Sequence, residues 1–128
     1  MSDRTPLIRT TAMPADTNPY GGVFGGWLMS QMALAAGSLA SRTARGKCVV
    51  VAASDLAFPG APSVGDEISV YAHVERVGRT SMGVRIEVLA ERDLGTTGVK
   101  VTEGLFTFVA LDENNRPRPI AVKEETNG

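Results

Sequence analysis

From Thr17 to Ser41 the chain carries no charged side chain, and within that stretch lies its only convincing helical pattern. Between about Gly26 and Ala44 the apolar residues Leu28, Met29, Met32, Leu34, Ala35, Ala36, Leu39 and Ala40 occupy more than one helical face. That pattern predicts a helix buried nearly all round rather than along one stripe. The stretch is long enough to span a bilayer, but Asn18, Pro19, Ser30, Gln31 and the glycines at 21, 22, 25, 26 and 37 interrupt it. It therefore reads as a loop followed by a buried helix, with no membrane insertion. Arg42, Arg45 and Lys47 fall where cations suit the helix dipole, and Gly46 is a suitable stop.

Such a helix must be wrapped. Thr5 to Ala12 reads as a short first strand, and after Gly46 the chain reads as strands over Cys48–Phe58, Glu67–Val77, Ser81–Glu91 and Val99–Leu111. The breaks between them are Pro59-Gly60-Ala61-Pro62, Val77-Gly78-Arg79 and Asp93-Leu94-Gly95. Ile68, Val70, Ala72 and Val74 alternate with polar neighbours, as do Met82, Val84, Ile86 and Val88, so each strand has one buried face. These strands exceed the roughly five to six residues usual in globular sheets, as a sheet curling round a bulky element requires. The expectation is an α+β fold in which a curved antiparallel sheet of about five to six strands wraps one long central helix. One sheet covers only one side of such a helix, so a second copy, paired edge to edge or face to face, would finish the core. Residues 1–128 make a single domain, with an ordered core over about 5–112 and a loosely ordered tail over 113–128.

Composition removes several function classes. Thirteen basic against 14 acidic side chains, a formal charge of -1, give no broad cationic field for a nucleic acid. Cys48 is the only cysteine, so there is no internal disulfide, and the start Met1-Ser2-Asp3-Arg4-Thr5-Pro6 lacks a secretory pattern; a cytoplasmic location is expected. The single histidine, His73, falls on the polar side of its strand between Tyr71 and Glu75, which argues against a nucleophilic triad and leaves no set for zinc. Neither a phosphate-binding loop nor a dinucleotide fingerprint is present. Cys48 opens an apolar strand, where a thiol acts as a small hydrophobe.

What remains is Asn18-Pro19-Tyr20-Gly21-Gly22-Val23-Phe24-Gly25-Gly26-Trp27, a glycine-rich loop running directly into the helix. Free N–H groups at a helix start, with glycines admitting a ligand to the backbone, suit a carbonyl oxygen that becomes an oxyanion. Spacing alone equally allows a tight turn.

The run from Met13-Pro14-Ala15-Asp16-Thr17-Asn18 through Phe24-Gly25-Gly26-Trp27-Leu28-Met29-Ser30-Gln31-Met32 resembles the signature of hotdog-fold acyl-CoA thioesterases, closest to the short bacterial YciA-like branch. Phe58 with Pro62-Ser63-Val64-Gly65-Asp66, then Val77-Gly78-Arg79-Thr80-Ser81, then Phe106-Thr107-Phe108-Val109-Ala110-Leu111-Asp112 resemble that family's further blocks in order, over about residues 6 to 120. The resemblance implies the hotdog fold and an acyl thioester bound at a dimer interface. Its carbonyl would be held by N–H groups at the helix start, matched by Gly25 and Gly26 beside Phe24, with Asn18 positioning the thioester or water. The Arg79-Thr80-Ser81 turn matches a segment that contacts coenzyme A. The family habit also implies dimers assembling to a tetramer or hexamer. No metal and no separate cofactor are implied, coenzyme A entering as part of the substrate.

The chain departs from the family at two positions. After Ser30-Gln31-Met32 the family carries a catalytic Asp or Glu, and this chain has Ala33; Gly22 stands where close relatives often carry Asp. Asp16, Asp55 and Glu103 are the candidate substitutes. Asp55 interrupts an apolar strand, so it either lines a cavity or makes a strand-end contact to Arg or backbone. Arg79, with Arg116, Arg118 and Lys123, could pair with coenzyme A phosphates, or Arg79 could be a solvated turn cation. The small residues Ala33, Ala35, Ala36, Gly37 and Ala40 allow either close packing or space for an acyl chain. The leading reading is an acyl-CoA thioesterase releasing a free fatty acid and coenzyme A. The alternatives are an acyl-CoA-binding module or partner subunit in a mixed oligomer, and a purely structural dimer.

Overall fold

The computed structural model describes residues 5–92 and 97–120. In chain order these are β1 (Ile8–Thr11), a 3-10 turn (Pro14–Asp16), α1 (Gly25–Ala44), β2 (Cys48–Ala57), β3 (Glu67–Val77), β4 (Ser81–Arg92) and β5 (Thr97–Ala110). The strands form one 5-stranded sheet in the order β1-β3-β4-β5-β2, every neighbouring pair antiparallel. The expected α+β arrangement of one long helix on one antiparallel sheet is what the chain forms. β1 is shorter than the expected Thr5–Ala12, because Ala12 leaves the ladder to bond Asp66 O at 3.1 Å and is itself fully buried. The turn expected at Asp93-Leu94-Gly95 lies outside the described residues.

Alternation decides which face meets the helix. Ile68 and Val70 of β3, Met82, Val84, Ile86 and Val88 of β4, and Phe106, Phe108 and Ala110 of β5 are buried against Leu28, Met32, Ala35, Ala36, Ala40 and Ala44 of α1. Alanines dominate the helix side, so the helix sits close to the sheet, and a β-carbon at Gly37 would already touch the Phe108 ring at 3.7 Å. In the single chain the helix is covered on one side only. Gly26, Ser30, Leu34, Ser38 and Arg42 are exposed opposite the sheet, with Leu34 63% exposed, so burial all round does not hold for one copy.

β2 is the unusual strand. It lies at the edge of the sheet with one neighbour, β5, and Val49, Val50 and Val51 are 40%, 48% and 57% exposed. An apolar edge with no second neighbour among the described strands is a template for another strand. Near its end the ladder slips: Ser54 faces Leu105 and Ala57 faces Glu103, so Asp55 and Leu56 together oppose Gly104. Asp55 takes the bulge in the left-handed region, φ 55°. The bulge turns Leu56 inward over Gly104, where an added β-carbon would lie 2.6 Å from Leu56 Cδ2. A β-branched residue tolerates that backbone poorly, so Asp55→Val is expected to lower stability by about 1–2 kcal/mol and Asp55→Asn to change it by less than about 0.5 kcal/mol, measured by denaturant unfolding.

The segment expected as a tail over 113–128 folds back on the sheet as far as Ile120. Asp112 Oδ1 accepts from Asn114 N at 2.8 Å and Arg116 N at 3.0 Å, and Asn115 at φ 63° completes a tight reversal. The returning strap bonds Arg118 N to Ala110 O at 2.9 Å and Ile120 N to Arg79 O at 2.8 Å, and the Ile120 side chain is buried. Residues 121–128 lie outside the described residues.

Candidate active site

The glycine-rich loop is closed by its own hydrogen bonds. Phe24 N bonds Asp16 O at 2.7 Å and Asn18 N bonds Gly22 O at 2.7 Å, while Asn18 Oδ1 accepts from Tyr20 N at 2.8 Å and Gly22 N at 3.1 Å. Gly21, at φ 94°, takes a backbone that other residues rarely adopt. This closure fixes Phe24 as the extended residue before α1, its carbonyl accepting from Trp27 N at 3.0 Å and Leu28 N at 3.3 Å. The N–H groups of Gly25 and Gly26 have no acceptor among the described residues.

Two aromatic rings flank those donors. A β-carbon at Gly26 would lie 2.5 Å from the Phe24 ring, and one at Gly25 would lie 3.9 Å from Phe58 Cε2. Phe24 and Phe58 are both about half exposed. Gly26 lets the Phe24 ring lie against the helix start, and a side chain there would displace the ring. Two preorganised donors at the positive end of a helix dipole, partly screened from water by aromatic rings, form an arrangement suited to developing negative charge on oxygen.

Asn18 and Asp16 are placed here, but in different roles from those expected of free catalytic groups. The Asn18 carbonyl oxygen is spent on the loop, which leaves its Nδ2 donor facing Gly22; a β-carbon at Gly22 would sit 3.7 Å from it. The Asp16 carboxylate accepts from Met13 N at 2.9 Å and so caps the 3-10 turn. Ala33 lies two turns into the helix on a half-buried flank, one turn before Gly37.

The structure does not bring Asp55 or Glu103 to the helix start. Arg85 alternates with the buried Val84 and Ile86, so it projects from the sheet face away from α1, and Asp55 Oδ2 lies 3.8 Å from it. Arg85 bonds Glu75 at 2.8 Å, which holds the Glu75 carboxyl below its ordinary range. Glu103 and Glu87 pair with Lys100 at 3.0 and 3.1 Å, and both hold the ammonium above its ordinary range. Tyr71, His73, Arg85, Glu87 and Glu103 line a shallow cavity of about 180 Å³ on this outer face. Within one chain Asp55 makes the strand-end contact to Arg.

Arg79, Thr80 and Ser81 are also far from Gly25 within one chain. Their turn is closed by Gly78 N to Ser81 O at 2.7 Å and is tied to Ala110, which pairs with Cys48 beside the C-terminal end of α1. Twenty helical residues separate the two ends, about 30 Å. Arg118 is likewise not held out for phosphate: Nε bonds Leu111 O at 3.0 Å, Nη2 bonds Ala44 O at 2.9 Å and Nη1 bonds Pro119 O at 3.3 Å. Arg116 is exposed, and Lys123 lies outside the described residues. Burial raises the Cys48 thiol above its ordinary range, with Arg118 acting in the opposite direction, which agrees with a small apolar role. Phe58 was not singled out as a site residue by the sequence, although an aromatic residue directly before Pro59 at a strand end was a signal for it.

Among the described residues no group of three or more His, Cys, Asp or Glu side chains could hold a metal ion, and no helix is long and apolar enough to cross a membrane.

Comparison with known proteins agrees with the fold. Residues 20–96 match the family model described as the thioesterase superfamily. An uncharacterised acyl-CoA thioester hydrolase of Zymomonas mobilis is 46% identical over 121 residues, covering 94% of this chain and 81% of that protein. The acyl-CoA thioester hydrolase YciA of Escherichia coli K12 is 41% identical, with 91% of each chain covered. The crystal structure of a hexameric thioesterase from Yersinia pestis superposes with a TM-score of 0.88 at 36% identity, covering 96% of this chain and 100% of that one. The chain belongs to the thioesterase superfamily, on its hotdog-fold, YciA-like acyl-CoA thioester hydrolase branch.

Proposed function

We propose that this chain hydrolyses an acyl-CoA thioester, with each site shared between two copies. The observation that carries the reading is the pair of unengaged Gly25 and Gly26 N–H groups between the Phe24 and Phe58 rings. The thioester carbonyl oxygen accepts from these donors. Water adds to the carbonyl carbon, the C–S bond breaks, and coenzyme A leaves as a thiol carrying one of the water's protons while the acyl group leaves as a carboxylate and the second proton passes to solvent. Asn18 Nδ2 orients the water but cannot take its proton at neutral pH. Ala33 occupies the place of the family carboxylate, and a general base is worth roughly 10²–10⁴ in rate, so turnover by this chain alone is slow. Coenzyme A enters as part of the substrate, and the chemistry calls on no metal or further cofactor.

The bare β2 edge supports sharing of the site. If two β2 strands pair antiparallel about a two-fold axis, the Ala57 end of one meets the Cys48 end of the other. The partner's Arg79 turn then stands beside the helix start. Three strand spacings, about 15 Å, separate them, a distance for the extended coenzyme A moiety rather than the thioester. Arg79 pairs with phosphate and Thr80 and Ser81 donate to it. On the same helix, the small side chain of Ala33 leaves width for an acyl chain. Further assembly of such dimers to a tetramer or hexamer is the form implied by the hexameric relatives.

Release of free thiol from short to long acyl-CoAs, with thermal shift as a binding readout, tests the reading. Hydrolysis predicts thiol in proportion to this chain alone. Ala33 favours one second reading, a binding subunit that needs a carboxylate-bearing partner, which predicts stabilisation by acyl-CoA without release. Neither release nor stabilisation would leave only a structural dimer.

A further inference from the structure

We propose that Arg118 is a positioning residue for coenzyme A, acting through the strap that fixes the Arg79-Thr80-Ser81 turn. The inference rests on the proposed placement of coenzyme A on that turn, and it adds a residue that makes no contact with substrate. The guanidinium joins three separate pieces of backbone. Nη2 bonds the Ala44 carbonyl at the C-terminal end of α1, Nε bonds Leu111 O after β5, and Nη1 bonds Pro119 O within the strap. A cation suits the carbonyl end of a helix, so the contact to Ala44 is favoured by the dipole as well as by the hydrogen bond. Gly46 admits it: a β-carbon there would lie 2.6 Å from Nη2.

From Arg118 the strap runs two residues to Ile120, whose N–H bonds the Arg79 carbonyl at 2.8 Å and whose side chain enters the core. The Arg79 backbone is thus held from outside its own hairpin. Arg79 itself is exposed, and its side chain has no ion pair among the described residues. Its reach depends on where the turn stands. Ala110 N to Thr80 O at 2.9 Å ties the turn to the sheet, and the two-residue link from Arg118 to Ile120 adds the hold on Arg79 itself, so the Arg79 backbone follows the docking of Arg118 on the helix end. Lysine keeps the charge but lacks the planar fork that spans three carbonyls.

The test compares wild type, Arg118→Ala and Arg118→Lys, using equilibrium binding of free coenzyme A and steady-state thiol release well below each protein's melting temperature. Arg118→Ala is expected to weaken coenzyme A binding and raise KM about five- to tenfold while kcat stays within about twofold, with Arg118→Lys in between. If Arg118→Ala does not fold, Arg118→Lys carries the comparison. Unchanged coenzyme A affinity in a folded variant, or a fall in kcat at constant KM, overturns the positioning role. Wild type that binds no coenzyme A overturns the functional reading itself, and this inference with it.

Discussion

Ala33→Asp is expected to raise thiol release from acyl-CoA by about 10²–10³-fold over wild type at equal protein concentration, within the range a general base supplies. Position 33 is half-buried on the helix flank that carries Gly37, two turns from the free Gly25 and Gly26 N–H groups. A carboxylate introduced there keeps partial access to water, so its ionised form is not stranded, and it can take the proton that Asn18 cannot. Coenzyme A affinity should change little, since neither Arg79 nor the strap is touched. The gain should therefore sit in kcat. A wild type that already turns over as fast as the variant would mean that another group acts as the base, and would exclude Ala33 as the cause of slow chemistry.

Mixing two impaired variants is expected to restore activity that neither has alone. Gly26→Val drives a side chain into the Phe24 ring and covers the donors, and loss of such donors costs about 10²–10³ in rate. Arg79→Ala should weaken coenzyme A binding by about 1–3 kcal/mol, which lowers the rate at substrate below KM. If each site takes its helix start from one copy and its turn from another, a mixed dimer carries both lesions in one site and none in the other. Random co-assembly then yields about a quarter of wild-type activity, and mixed dimers selected by both tags about half. Were the site contained in one chain, the mixture would give only the average of the two variants. Co-expression with differently tagged chains, followed by thiol-release assay of the doubly purified species, separates these outcomes.

The parts of the fold that repeat were legible in the sequence. Period-two alternation in Glu67–Val77 and Ser81–Glu91 located β3 and β4 and their buried faces, and the breadth of apolar positions after Gly25 located α1. The helix-start glycines were legible too, because close approach to backbone leaves its mark in residue type. Asp55 was not, because its direction depends on a bulge that two residues opposite Gly104 create, and a bulge changes which face follows without changing composition. Nor was the distance between Arg79 and Gly25. It follows from strand direction: β2 starts at Cys48 beside the end of the helix and runs toward the helix start, so β3 returns to the helix end and its turn into β4 falls there, a pairing that no local spacing encodes. The strap after Asp112 was hidden by its polar, proline-rich composition. Its order comes from one arginine and one isoleucine finding partners far away in sequence.

The exposed valines of β2 carry a consequence for how such a chain behaves in dilute solution. If a second copy covers this edge and shares the site, folding, solubility and chemistry are tied to one association equilibrium. Below the concentration at which edges find each other, each chain would present an adhesive strand and half a site, so specific activity would decline with dilution faster than any loss of folded protein. Abundance then acts as a control on catalysis, with no regulatory ligand involved.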